Sequence, residues 1–99
     1  MGEAEPQAQR SVGPVLTTGL CADAIVAAIQ AENAGVSIQC QAGYLRVLVP
    51  GRCRVTAAAI ERALGRPFLL PRDLESVMPS FKGRMRVDQV SAIWEAGPR

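Results

Sequence analysis

Histidine is absent from this chain of 99 residues, and the other groups that carry most enzyme chemistry are sparse. The sequence thus lacks the one side chain that titrates near neutral pH and the commonest protein ligand of transition metals. Its three cysteines form no C-x-x-C motif, and its glycines form no phosphate-binding loop. We therefore expect no catalytic set, no metal site and no cofactor site.

The cysteines Cys21, Cys40 and Cys53 are odd in number, which indicates reduced thiols in the absence of a secretory signal. We expect each of them to pack in or near the core. The segment from Met1 to Arg10 is polar, and no run of about 18 apolar residues occurs in the chain. These features predict a soluble, cytoplasmic protein that does not interact with membranes.

Within the predicted domain, one pair of carboxylates lies close in sequence, Asp73 with Glu75, in a segment expected to be strand or loop. Two residues of a strand separated by one position share a face, which is how paired acids can serve acid–base chemistry. No histidine, lysine or metal motif accompanies them, so we interpret the pair as structural.

Positive charge is concentrated in the second part of the chain, where ten of the eleven basic residues follow residue 43. All but one of the eleven are arginine, which suits planar contacts with carboxylates. Five of them could form a basic strip: Arg52, Arg54, Lys82, Arg84 and Arg86.

A basic strip on alternating helices and hairpins also occurs in RNA-binding domains, which stack bases on aromatic side chains. The four aromatic residues here are dispersed: Tyr44, Phe68, Phe81 and Trp94. Phe68 and Trp94 are expected in the core, and Phe81 could be there too. We therefore expect no nucleic-acid partner, and a small RNA-binding or ligand-binding regulatory domain remains the alternative function.

Apolar periodicity predicts one small domain over residues 12–99, preceded by a flexible polar tail over residues 1–11. Strands are predicted at 15–17, 36–41, 44–49, 74–78, 83–87 and 90–94. Helices are predicted at 20–33, with Thr18 as a possible N-cap, and at 57–64, with Thr56 as N-cap. The order is strand, helix and hairpin, then helix, strand and hairpin. This predicts an α+β two-layer domain with two helices packed on antiparallel hairpins.

Three segments resemble a known family. They are Val12-Gly13-Pro14-Val15, Leu64-Gly65-Arg66-Pro67-Phe68 and Ser80-Phe81-Lys82-Gly83. In order and spacing they are similar to the effector, or coupling, proteins of bacterial multicomponent soluble diiron monooxygenases, within the toluene and alkene monooxygenase branch. More distant relatives serve phenol hydroxylase and soluble methane monooxygenase. The resemblance extends over nearly the whole chain from Val12.

The resemblance implies a non-catalytic, cofactor-free regulatory component, monomeric when free, that binds a diiron hydroxylase. It would tune the active-site conformation and turnover of that hydroxylase and the coupling of NADH oxidation to the hydroxylation of an aromatic or alkene hydrocarbon. The resemblance also implies eight contact residues for the hydroxylase: Val12, Gly13, Pro14, Asn33, Gly35, Arg66, Phe81 and Lys82.

Overall fold

The computed structural model describes residues 10–97. Within this range the chain forms seven strands and three helices. In chain order they are β1 (Ser11–Thr17), α1 (Leu20–Glu32), β2 (Ser37–Gln41), β3 (Tyr44–Pro50), β4 (Arg52–Thr56), α2 (Ala57–Leu64), α3 (Arg72–Glu75), β5 (Ser80–Lys82), β6 (Arg84–Val87) and β7 (Ser91–Glu95).

The strands form two antiparallel sheets, one of four strands in the order β2-β3-β1-β5 and one of three in the order β4-β7-β6. Helix α1 packs against α2 and β4. The core fills the space between helices and sheets, and its largest fully buried side chains include Trp94, Leu16 and Ile25. The predicted α+β class, with helices on antiparallel strands, is confirmed, and α3 is a third, short helix.

Most predicted elements are present because their side-chain patterns match the faces they bury. Helix α1 buries Ala22, Ile25 and Ile29 on one side, as the helical spacing predicts. The predicted hairpin pairs β2 with β3, and Ile38 lies opposite Val47. Strand β1 begins at Ser11, earlier than predicted. Of the predicted tail, residues 1–9 lie outside the described residues.

Two strands were not predicted: β4, which follows Gly51, and β5, which precedes Gly83. Gly51 and Gly83 both have positive φ, 77° and 104°, and each separates two strands that belong to different sheets. The alternation of Arg52, Cys53 and Arg54 was the available signal for β4. Both glycines are therefore points where the chain crosses from one sheet to the other.

The predicted strand at 74–78 is wrong, because the chain there forms α3 and a turn. The Asp73 carboxylate accepts the Leu69 N–H at 2.7 Å, and the Asp73 N–H donates to the Leu69 carbonyl at 2.8 Å. These local hydrogen bonds satisfy the backbone without a partner strand. Leu74, fully buried, then fixes the helical turn to the core.

The two long helices begin differently. Thr56 is the N-cap of α2, and its hydroxyl accepts the Ala59 N–H at 3.1 Å, which confirms that prediction. Thr18 is not the N-cap of α1, since Gly19 occupies that position and no side chain caps the helix there. Gly19 has φ of 152°, so the chain turns into α1 through glycine geometry instead of a hydroxyl cap.

The cysteines differ from one another more than expected. Cys53 is buried and Cys21 is half-buried against the core, as predicted, but Cys40 is exposed on the edge strand β2. The alternation in β2 does place Cys40 on the core side of the sheet, opposite Leu45. At the edge of the sheet that side is not covered, so the core position predicted for Cys40 is wrong.

We expect Cys40 to react first with a thiol reagent at mildly alkaline pH, Cys21 more slowly, and Cys53 only on unfolding. Burial raises the pKa of the Cys53 thiol to about 12, so very little of the reactive thiolate forms at that pH. Timed labelling followed by peptide mass spectrometry measures the order. The variant C40S should lose the fast phase, and a fast phase that persists would contradict this assignment.

Candidate functional site

Two of the three resembling segments are neighbours in the structure, although they are far apart in sequence. Strand β5 pairs with β1, so that Gly13 lies opposite Lys82 and Pro14 lies opposite Phe81. Phe81 is 44% exposed and Lys82 is also exposed, at the outer edge of the four-stranded sheet. We call residues Ser80–Lys82 the β5 edge.

The residues of β1 that lie alongside the β5 edge are buried. Val12, Gly13 and Pro14 have little or no accessible surface. A Cβ atom on Gly13 would overlap the Val47 carbonyl oxygen, so this position admits only glycine without backbone movement. These three predicted contact residues are therefore buried in β1, which pairs with the strand that carries Phe81 and Lys82.

Asn33, another predicted contact residue, joins the end of α1 to the outer edge of β4. Its side-chain nitrogen donates to the Ile29 carbonyl at 2.8 Å and to the Arg54 carbonyl at 2.7 Å. Its side-chain oxygen accepts the Arg54 N–H at 3.0 Å. Gly35 follows in an exposed turn with φ of 73°. The Asn33 side chain thus forms hydrogen bonds with both the N–H and the carbonyl of Arg54, as a neighbouring strand would.

Glu32, for which no role was predicted, also joins the end of α1 to β4. Its carboxylate accepts the Thr56 N–H at 3.0 Å and the Thr56 hydroxyl at 2.7 Å. The contact joins residues 24 positions apart in sequence, so no local pattern could have indicated it. Glu32 and Asn33, at the end of α1, therefore attach this helix to β4 and to the start of α2.

We expect Asn33→Ala to lower the free energy of unfolding by about 1–2 kcal/mol, because it removes two hydrogen bonds to Arg54 of β4 and one to the Ile29 carbonyl of α1. Urea denaturation followed by circular dichroism measures the change. Gln30→Ala, at an exposed position on the same helix, is the control and should change stability by less than about 0.5 kcal/mol. Equal stability of the two variants would show that the Asn33 contacts contribute nothing.

Arg66 lies in a short loop that is held at both ends. Gly65 ends α2 with φ of 82°, and its N–H donates to the Glu61 carbonyl at 2.7 Å. The Glu61 carboxylate accepts the Phe68 N–H at 2.9 Å, and Phe68 is buried, as predicted. The exposed Arg66 is therefore presented on a loop of restricted mobility.

A groove of about 280 Å³ opens beside Arg66. It is lined by the half-buried Leu64 and the buried Phe68, together with polar groups that include Asp73 and Ser76. Arg66 and the β5 edge are thus two separate exposed features of the molecule.

The predicted basic strip divides between the two sheets. Lys82 belongs to the four-stranded sheet, whereas the four arginines lie on the exposed face of the three-stranded sheet. Strand β7 lies between β4 and β6, so that Glu95 lies between Arg52 and Arg84, and Ile93 lies between Arg54 and Arg86. We call this surface the arginine face: Arg52, Arg54, Arg84, Arg86, Ile93 and Glu95.

Acidic groups near the arginine face are fixed by local contacts. Glu95 forms ion pairs with Arg52 at 3.6 Å and with Arg86 at 3.2 Å. Asp88, in the turn between β6 and β7, accepts the N–H groups of Val90 and Ser91 at 2.8 Å each. The Ser91 and Val90 hydrogen bonds, with a smaller contribution from Arg54, lower the pKa of the Asp88 carboxyl.

The one pair of carboxylates considered for acid–base chemistry lies in the short helix α3. Asp73 and Glu75 lie on one turn of α3, not on one face of a strand, and the Asp73 carboxylate accepts the Leu69 N–H and pairs with Arg72 at 3.5 Å. Over residues 10–97, no group of three His, Cys, Asp or Glu side chains is placed to hold a metal ion. In that same range, no helix has the length and apolar character needed to cross a membrane.

The exposed aromatic side chains are not on the arginine face. Tyr44 and Phe81 lie on the other sheet, and Trp94 is buried beneath the arginines. The combination needed for stacking nucleic-acid bases beside positive charge is therefore not formed on this face. The fold is a small α+β domain that exposes Phe81 and Lys82 on one sheet and the arginine face on the other.

Comparison with known proteins identifies the family. The MmoB/DmpM family profile matches residues 10–95. The alkene monooxygenase system effector subunit of Xanthobacter autotrophicus (strain ATCC BAA-1158 / Py2) is 41% identical over 85 residues, which cover 84% of this chain and 83% of that protein. The chain therefore belongs to the MmoB/DmpM family.

The fold agrees with this assignment. A chain in the solved structure of a phenol hydroxylase–regulatory protein complex superposes with a TM-score of 0.78 at 19% identity, covering 90% of this chain and 100% of that one. The predicted resemblance to effector proteins of multicomponent monooxygenases is confirmed. The protein is an effector subunit, not the catalytic component, of such a system.

Proposed function

We propose that this protein binds the diiron hydroxylase component of a multicomponent hydrocarbon monooxygenase and tunes its active site. The observation that carries the proposal is the 41% identity, over 84% of the chain, to an alkene monooxygenase effector subunit. The regulatory-protein fold of the phenol hydroxylase complex supports it. The reaction itself belongs to the hydroxylase.

An effector of this kind acts through differential affinity. It can favour one hydroxylase conformation only to the extent that it binds that conformation more tightly than the others. A small domain with rigid exposed groups suits this role, because little binding energy is lost in ordering it. The conformation that it favours keeps NADH oxidation coupled to hydroxylation of the substrate.

Contact with the hydroxylase is made through exposed groups of the resembling segments. Phe81 and Lys82 are on the β5 edge, and Arg66 is beside the groove at the end of α2. Phenylalanine and arginine are both enriched in protein–protein interfaces relative to the rest of the surface. Val12, Gly13 and Pro14 contribute by positioning the β5 edge, and Asn33 and Gly35 contribute by shaping the turn after α1.

The test is steady-state oxidation by the matching hydroxylase and its electron-transfer components, with this protein titrated from zero to several equivalents. Product formed and NADH consumed are measured together. We expect product per NADH to rise and to saturate near the stoichiometry of the hydroxylase. Bovine serum albumin at equal concentration is the control for non-specific stabilisation.

A flat response from a hydroxylase that is active with its own effector would contradict the proposal. A rise in NADH consumption without a rise in product would contradict the coupling role while leaving binding in place. Spectra of the isolated protein serve as a further control, since an effector adds no chromophore of its own to the reaction.

A further inference from the structure

The arginine face is a charged surface that the contacts proposed above do not use. Four guanidinium groups lie on the exposed side of three adjacent strands, and the same strands bury Cys53, Val55 and Trp94 on their other side. Arg52 and Arg84 flank Glu95, and Arg54 and Arg86 flank Ile93. Strand pairing therefore fixes the spacing of the four positions that carry these arginines.

The charges on this face do not balance. Glu95 is the one carboxylate among the six residues of the arginine face, and it pairs with Arg52 and Arg86. Arg54 and Arg84 are exposed and do not pair with Glu95. A concentration of one sign of charge raises the rate of encounter with a surface of the opposite sign and selects against other partners.

The residue types on the face favour carboxylates over nucleic acid. Arginine presents a planar fork that matches a carboxylate through two hydrogen bonds. Phosphate could use the same fork, but the face has no aromatic side chain for base stacking. Ile93, half-buried at the centre, adds the apolar contact that is typical of protein interfaces.

We propose that the arginine face docks an acidic surface of the hydroxylase, with Arg54 and Arg84 paired to aspartate or glutamate side chains of that partner. This inference rests on the proposed function, because it assigns a second contact surface to the same complex. The β5 edge and the arginine face belong to different sheets that meet at Gly83. One partner can therefore contact both surfaces on either side of this crossing point.

The test compares the double variants R54Q/R84Q and R62Q/R72Q for binding to the matching hydroxylase by surface plasmon resonance at low and high salt. The second variant removes the same charge from exposed positions on α2 and α3. We expect R54Q/R84Q to raise Kd about tenfold at about 50 mM salt, mainly through slower association, and much less at about 500 mM. R54K/R84K, which keeps the charge, should retain the association rate.

The outcomes separate the two proposals. If the wild-type protein binds and R54Q/R84Q binds as well as R62Q/R72Q, the arginine-face proposal is overturned and the proposed function stands. If the wild-type protein does not bind the hydroxylase, both fail. If R54Q/R84Q loses affinity only for a single-stranded RNA oligonucleotide tested in parallel, the face is a nucleic-acid site and this proposal is wrong. Matching thermal unfolding midpoints show that each variant is folded.

Discussion

Gly83→Ala should lower the free energy of unfolding by at least about 3 kcal/mol. Gly83 has φ of 104°, and a Cβ atom there would lie 2.7 Å from Cγ1 of Val12 and 2.8 Å from the Glu95 carbonyl oxygen. The carbonyl belongs to the backbone of β7 and cannot rotate away. Relief would require the two sheets to separate where the chain crosses between them.

The matched control is Gly43→Ala, in the turn between β2 and β3. Gly43 also has positive φ, 83°, but an added Cβ atom would meet nothing within 4 Å. That variant reports the conformational cost alone, which is about 1–2 kcal/mol. Urea denaturation of both variants measures the difference. If Gly83→Ala is no less stable than Gly43→Ala, the close packing at the crossing point is contradicted.

Phe81→Ala should raise the effector concentration that half-saturates hydroxylase stimulation by about 30-fold, which corresponds to about 2 kcal/mol of binding free energy. Phe81 is 44% exposed on the β5 edge, where the backbone is held by pairing with Pro14 and Gly13. Its ring can bury further area against a partner without ordering any loop. The titration of product per NADH gives the half-saturating concentration directly.

The control for this change is Tyr44→Ala. Tyr44 is 45% exposed and lies on β3 of the same sheet, so it matches Phe81 in class and exposure. We expect its half-saturating concentration to stay within about threefold of the wild-type value, as for most surface residues outside a hot spot. Equal shifts in both variants would indicate a general loss of structure and would contradict a specific role for Phe81.

Local patterns were sufficient to predict the elements whose side chains alternate or repeat regularly. The hairpin of β2 and β3 follows from alternation around Ala42-Gly43, and α2 follows from Thr56 and Gly65 at its two ends. Where a local pattern was compatible with two structures, prediction failed. Leu74, Val77 and Met78 have spacings of three and one, and the hydrogen bonds of Asp73 decide in favour of the helical turn.

Only part of the candidate site could be predicted from the sequence. The resembling segments indicated Phe81 and Arg66, but their placement next to β1 and a groove depends on strand register, which no local signal specifies. The same holds for the arginine face, because β4 and β6 are neighbours of β7 only after folding. The hydrogen bonds of Glu32 and Asn33 to β4 join residues more than 20 positions apart.

Those hydrogen bonds have a consequence for the dynamics of the sheet. Strand β4 lies at the edge of its sheet, where amide protons ordinarily exchange readily with solvent. Yet the Arg54 and Thr56 N–H groups donate to side chains at the end of α1. Their exchange therefore requires these hydrogen bonds to the Asn33 and Glu32 side chains to break first. We expect the edge of the arginine face and the end of the first helix to open together, so that a partner that holds one of them slows solvent exchange at the other.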